Sequence, residues 1–296
     1  MNKKEEILLA SFVADALALG GHWVYDPEKI ANEIEDIAKY HNPLSMFHTT
    51  KKAGDFTHYG DFSLFLLEFV KKASYDQDNF EEVLSKAWSE FISSYTGYFD
   101  GAARESLENY KKGIIPCGNT LIPDLNVCSR IAPLVYEFFD NRELIRQYAL
   151  TQAIMTNNLP QTTLAVDATL DILFDVLDGN TPRKAVQNRL QDKSLAPIHA
   201  LLQKGLDNKE DDIKAIYEFG PACGIDDGLP GAILFITRYE NDLKTALLQN
   251  AKAGGDSSSR GVLIAMILSA HLGIDTLPKE WIGGMNASEN IKELIA

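Results

Sequence analysis

Apolar residues recur at helical spacing through most of the chain. From Glu5 to Leu19 the set Ile7, Leu8, Phe12, Val13, Ala16 and Leu17 predicts a first helix, closed by Gly20-Gly21. Asp26-Pro27 supplies a cap and an N1 proline for a second, which Ile30, Ile34 and Ile37 carry to about Tyr40. The spacing gives further helices over Phe62 to Ala73, Asp78 to Tyr95 and Asp100 to Lys111, and a pair between Asn141 and Asp178 split at Asn158-Leu159-Pro160. Another starts at Thr181-Pro182, and two more run from Leu229 to Arg238 and from Asp242 to Lys252. The apolar run from Val262, ended by Gly273, and a short helix after Pro278 complete the set. Irregular chain is expected from His41 to His58, Gly113 to Asn126 and Phe219 to Gly231. No strand pattern, composition shift or long linker interrupts this, so the expectation is one all-α domain over residues 1–296, built on antiparallel helix pairs.

Composition narrows the partners. A net charge of −14 argues against a nucleic acid, whose phosphates the average surface field repels, yet leaves room for one small phosphorylated ligand. Three cysteines, Cys117, Cys128 and Cys223, lack the paired spacing of a disulfide framework or zinc knuckle, which points to a reduced, cytoplasmic setting. The first helix carries Asp15 and follows Met1 almost at once, unlike a signal peptide, and no apolar run approaches the length of a membrane span.

The stretch with the most chemistry is Gly254-Gly255-Asp256-Ser257-Ser258-Ser259-Arg260-Gly261. Two glycines permit close backbone approach, a carboxylate follows, and three hydroxyls open a helix whose first N–H groups lack intrahelical partners. Such an end suits phosphate or a hard cation, although Asp256 can equally be a plain N-cap. Near the other end Thr57-His58-Tyr59-Gly60-Asp61 also delivers an aspartate before an expected helix, as a ligand or a cap. If the fold brings the two loops together, Asp61 and Asp256 form a carboxylate pair. His22, beside Trp23 and Tyr25, is either a packed turn residue or a base for proton transfer near neutral pH. Arg130 can pair with a pyrophosphate or with an acidic residue of the core. Asp226-Asp227, between turn glycines, suits a tight turn better than a metal, and the acidic segment from Asp207 to Asp212 suits a solvated helix entry.

The Gly254 to Gly261 segment, its helix and Trp281 together resemble the C-terminal signature of the ADP-ribosylglycohydrolase family, most closely the branch of the jellyfish J crystallins. Other segments resemble family motifs in order: Ala14 to Gly20 the opening motif with its aspartate, His22-Trp23 the crystallin-like branch, and Thr57 to Asp61 the first metal motif. Asn126 to Pro133 is similar to the central motif, and Cys223 to Gly228 to a segment lining the ligand cleft. The resemblance implies an all-α fold and a hydrolase that cleaves ADP-ribose from a small-molecule or protein acceptor, usually with two magnesium ions. It implies catalytic roles for His22, Asp61 and Asp256, with Asp61 and Asp256 also holding metal. It further implies ligand contacts at Tyr59, Gly60, Asn126, Arg130, Gly224, Gly255, Ser257, Ser258, Ser259 and Arg260, the Gly255 to Ser259 backbone taking phosphate. The chain departs from the pattern: Tyr59 and Gly60 stand where metal ligands are expected, Ser258 where a second aspartate is, and His22 where the family carries a glutamate. Two aspartates leave room for at most a weakly held magnesium ion. The alternative is a non-catalytic binder of ADP-ribose or a nucleotide, or a crystallin-like structural protein.

Overall fold

A computed structural model describes all residues, 1–296. Its helices are α1 (Lys3–Ala18), α2 (Pro27–Glu33), α3 (His58–Lys72), α4 (Phe80–Ser94), α5 (Gly101–Lys111), α6 (Ala132–Glu137), α7 (Arg142–Thr156) and α8 (Pro160–Leu177). There follow α9 (Pro182–Arg189), α10 (His199–Asp207), α11 (Asp212–Phe219), α12 (Ile225–Arg238), α13 (Leu243–Ala253), α14 (Ser257–Leu272), α15 (Lys279–Gly284) and α16 (Ser288–Ile295). There is no strand, as the sequence implies. No helix is long and apolar enough to cross a membrane.

The chain's two ends build its centre. Helix α1 opens with a reciprocal cap between Asn2 and Glu5 and is buried without a break from Ile7 to Ala18. It lies along α14, itself buried from Ser257 to Ala270 and stopped by Gly273 at φ +81°. Both lack a polar face because other helices surround them. Around this pair runs one continuous core of 75 buried apolar residues. The central helices therefore place Asp15, near the end of α1, beside the opening turn of α14.

Three elements depart from the sequence expectation, each for a local reason. Helix α3 begins at His58, not Phe62, because Thr57 caps it: the Thr57 hydroxyl accepts the Tyr59 N–H at 3.1 Å. Asp61 is thus not the cap but a residue of the first turn. Helix α2 ends at Glu33, well short of Tyr40. There the chain turns so that Val24, Ile30 and Ile34 form a satellite cluster with Ile37 and Leu44, and the Leu44 N–H reaches Gly20 O at 3.0 Å. Helix α12 begins at Ile225, so Asp226 and Asp227 occupy its first turn, where carboxylates favour the helix dipole, and are not a tight turn between helices. The acidic segment is a solvated helix entry as expected as far as Asp211, which caps α11, but Asp212 itself is buried between Arg238 and the Tyr239 hydroxyl.

Candidate functional site

Positive-φ glycines fasten the α1–α2 turn to the start of α14. Gly254 and Gly255 sit at φ +63° and +57°, and a β-carbon on Gly255 would lie 2.7 Å from the Pro221 Cβ. This lets Trp23 N–H donate to Gly255 O at 2.7 Å and Gly255 N–H donate to Val24 O at 2.8 Å. The Asp256 N–H donates to Pro221 O at 2.8 Å, adding the loop before α12. Trp23 itself holds φ +58°, a region bulky residues rarely occupy and one that recurs at functional sites.

Within this frame the structure brings His22 and Asp256 together. Both are fully buried, with His22 Nδ1 3.6 Å from Asp256 Oδ1. The Ser258 N–H donates to the same ring nitrogen at 3.3 Å, and Ser259 Oγ donates to Asp256 Oδ2. Burial holds the imidazole well below its usual range, with the neighbouring His48 and His58 adding to the effect. Burial also raises the Asp256 carboxyl, against the Ser259 bond and the Arg260 charge. Tyr59 packs edge-on to His22 at 5.4 Å between ring centroids, and its hydroxyl is buried without a partner.

Asp61 does not join them. Its carboxylate accepts from Lys51 Nζ and the Tyr95 hydroxyl and lines a shallow surface hollow with Leu64, Phe65, Glu68 and Phe91. The aspartate that does reach the start of α14 is Asp15. It accepts from Thr57 N–H at 2.8 Å, from Thr57 Oγ1 at 2.7 Å and from Ser258 Oγ. A β-carbon on Gly60 would lie 2.7 Å from the Asp15 Cγ, so this position is glycine because the carboxylate fills the space a side chain would need.

The second half of the site comes from the middle of the chain. Asn126, in a buried 3-10 turn (Leu125–Arg130), donates from Nδ2 to Asp100 Oδ2 at 3.0 Å, and its Oδ1 has no partner. His58 Nε2 lies 3.5 Å from the same Asp100 oxygen. Burial tends to raise the Asp100 carboxyl, but the His58 contact and the Ala103 N–H hold it below its ordinary value. Asp124 is raised to about 7 by burial and by the Asp100 charge. Gly224 caps α12 where Leu125 N–H donates to Cys223 O at 2.9 Å and Ile225 N–H to Pro123 O at 2.8 Å, setting Asp124 beside Cys223.

Both arginines are bonded within the core, Arg260 keeping Nη1 buried without a partner. Arg130 gives Nε to Gln152 Oε1 at 2.6 Å and Nη2 to Thr156 Oγ1 at 2.7 Å, neutral core partners instead of a core acid. Arg260, fully buried, ties Asn250 Oδ1 at 3.1 Å and Gly254 O at 2.5 Å. Nor is the start of α14 an open phosphate nest. The Ser257 N–H is spent on Gly255 O at 2.8 Å, the Ser258 N–H on His22, and Ser257 to Ser259 are wholly buried.

These contacts answer whether a magnesium pair fits. Such a centre needs several charged oxygens converging on one space. Here the Thr57 and Ser258 hydroxyls turn onto Asp15, 3.2 Å from each other, while Asp61 faces Lys51 and leaves Asp256 alone. The residues present do not fit a two-magnesium centre.

Asp15 gives a pH signature. Burial raises its carboxyl from the ordinary 3.8 to about 6, against the lowering effect of the Ser258 and Thr57 bonds. A folded value above the unfolded one means stability fully present below about 4 and lost as pH rises through about 6. Relative to Asp15→Asn, the wild type should lose roughly 2 kcal/mol between about pH 4.5 and 6, at about 1.4 kcal/mol per unit. Urea unfolding of both proteins across that range checks it; a constant gap would mean that Asp15 titrates normally.

The fold and these segments define a class, and comparison with known proteins agrees. The family model described as ADP-ribosylglycohydrolase matches residues 2–296, and the chain belongs to that family. Crystallin J1A of Tripedalia cystophora is 21% identical over 315 residues, covering 98% of this chain and 94% of the crystallin. A solved structure titled ADP-ribosylglycohydrolase-related protein complex matches with TM-score 0.72 and 18% identity over 99% of this chain and 95% of that one.

Sequence reasoning missed His48, Asp100 and Asp124 and took His58 for a loop residue. No periodic signal marked them, since His48 lies in an irregular stretch and Asp100 looks like an ordinary cap, which it also is, accepting the Ala103 N–H at 2.7 Å.

Proposed function

We propose that the chain is a hydrolase of ADP-ribose conjugates, working around Asp256 and His22 without the two-magnesium equipment of its family. The observation that carries this reading is a set of buried polar atoms with no partner: His22 Nε2, Tyr59 Oη, Asn126 Oδ1 and Asp256 Oδ1. Groups left unsatisfied inside a protein are costly and cluster where a ligand or ordered water completes them. Hydrolysis needs a base for the attacking water and a proton for the departing acceptor. Asp256 Oδ1 takes the first role. Asp256, protonated by that step, returns the proton to the departing acceptor, and His22, held neutral by burial with its ring proton on Nε2 because the Ser258 N–H occupies Nδ1, donates a hydrogen bond to that acceptor. In this reading Tyr59 and Asn126 bind ribose hydroxyls, and a groove of about 420 Å³ lined by Trp23 and Phe47 takes the nucleotide outside these buried groups.

The closed state of the start of α14 favours a second reading, a structural protein of the crystallin kind with no turnover. Release of free ADP-ribose from a panel of amino-acid-linked and O-linked conjugates separates the two. Asp256→Asn and His22→Gln are each expected to lower the rate by about 100-fold or more, and Asp61→Asn by no more than a few-fold. Absence of turnover on every conjugate supports the structural reading, and equal rates in all variants rule out this assignment of roles.

A further inference from the structure

Three of the chain's six histidines meet in one buried place. His22 comes from the α1–α2 turn, His48 from a 3-10 turn (Met46–His48), and His58 from the first position of α3. All three are buried. One ring nitrogen of each lies within 4.8 Å of one from each of the others, and His48 Nε2 is 3.1 Å from His58 Nδ1. Ring centroids stand 5.3, 5.3 and 6.3 Å apart. We propose that His22, His48 and His58 form a mononuclear site for a borderline transition-metal dication of the zinc class, distinct in ligand type from the oxygen-rich magnesium centre.

Nitrogens on a tetrahedral ion with bonds of about 2.0–2.1 Å sit about 3.3 Å apart, so the His48–His58 pair is already at ligand spacing, and the widest pair must close by about 1.5 Å. Imidazole favours zinc, copper, nickel and cobalt, whereas magnesium prefers charged oxygen. The surroundings supply the carboxylates that usually orient metal-bound histidines. Asp100 Oδ2 lies 3.5 Å from His58 Nε2, the nitrogen turned away from His48. An ion on His22 Nε2 shifts the ring proton to Nδ1, 3.6 Å from Asp256 Oδ1. That gives partners to two atoms that otherwise have none, in exchange for the long 3.3 Å contact with Ser258 N–H. Trp23 closes the cluster from above, stacked on His22 at 4.9 Å and packed on His58 at 5.0 Å, which gives its left-handed backbone a purpose. With the ion in place His22 serves the metal instead of the departing acceptor; the site stands whether or not ADP-ribose is hydrolysed, because its readout is metal content.

The test uses the full chain, stripped with chelator and titrated with Zn2+ and Co2+. The expected result is one equivalent held per chain through gel filtration, visible Co2+ absorption of a tetrahedral nitrogen site without a thiolate band, and no displacement by excess Mg2+. His48→Gln and His58→Gln should abolish it, Asp100→Asn should weaken it by about 10–100-fold, and Cys223→Ser should leave it unchanged. Wild-type protein that retains no metal, or shows octahedral or thiolate spectra, overturns the site regardless of how the variants fold. So does full binding by folded His48→Gln and His58→Gln.

Discussion

Gly60→Ala is expected to destabilise the protein by about 3–5 kcal/mol, although alanine is the better helix former. Helix propensity alone would make the change favourable by roughly 1 kcal/mol. Against this, the new β-carbon would stand 2.7 Å from both the Asp15 Cγ and the Phe56 Cβ. Overpacking of this kind typically costs about 1–3 kcal/mol. Displacing Asp15 strands the buried Thr57 N–H and the Thr57 and Ser258 hydroxyls, at about 1–3 kcal/mol for a buried group left unpaired. The packing terms win. Denaturant unfolding should show a lower midpoint at unchanged slope, since the same surface is exposed on unfolding. A neutral or raised midpoint would mean that Asp15 has room to move and does not lock α3 to α14.

Gly60 also shows why the fold was legible in the sequence and much of the site was not. Helix content came through because apolar spacing and caps are local: Asp26-Pro27, Thr181-Pro182 and the Gly273 stop all do what their residue types dictate. That a helix starts after Asp256 was also readable, but not that its first N–H groups are taken by Gly255 O and His22 and so form no open phosphate nest. What stayed hidden depends on contacts across the chain. Nothing in Thr57-His58-Tyr59-Gly60-Asp61 says that the carboxylate for this turn comes from Asp15, 42 residues earlier. Asp61 looked like the ligand because it stands before an apolar run, yet Thr57 had already started the helix and turned Asp61 toward Lys51. His48 carried no signal, because its neighbours in the irregular stretch follow no period and its partners, His22 and His58, belong to other elements.

Arg260→Ala should cost about 3–5 kcal/mol in the absence of any ligand, because two buried acceptors lose their donor at about 1–3 kcal/mol each and a fully buried side chain leaves a cavity. The guanidinium is wholly buried, and its Cδ lies 2.8 Å from where a β-carbon on Gly231 would stand, so α12 is shaped around it. Its bonds to Asn250 Oδ1 and Gly254 O hold the end of α13, and from there the Gly255 backbone bonds hold Trp23 and Val24. Lysine cannot replace it, since one ammonium does not span both acceptors in the fixed geometry of the guanidinium. Arg130→Ala is a matched control of similar burial, bonded to Gln152 and Thr156, outside this turn. Amide exchange at Trp23 and Gly255 should therefore accelerate in the folded Arg260 variant and much less in the Arg130 variant. A residue that served mainly to bind phosphate would give the reverse: unfolding free energy within about 0.5 kcal/mol of wild type, unchanged exchange, and lost affinity for ADP-ribose. That outcome would reopen the start of α14 as a phosphate site and undo the closed geometry on which the assignment to Asp256 and His22 depends.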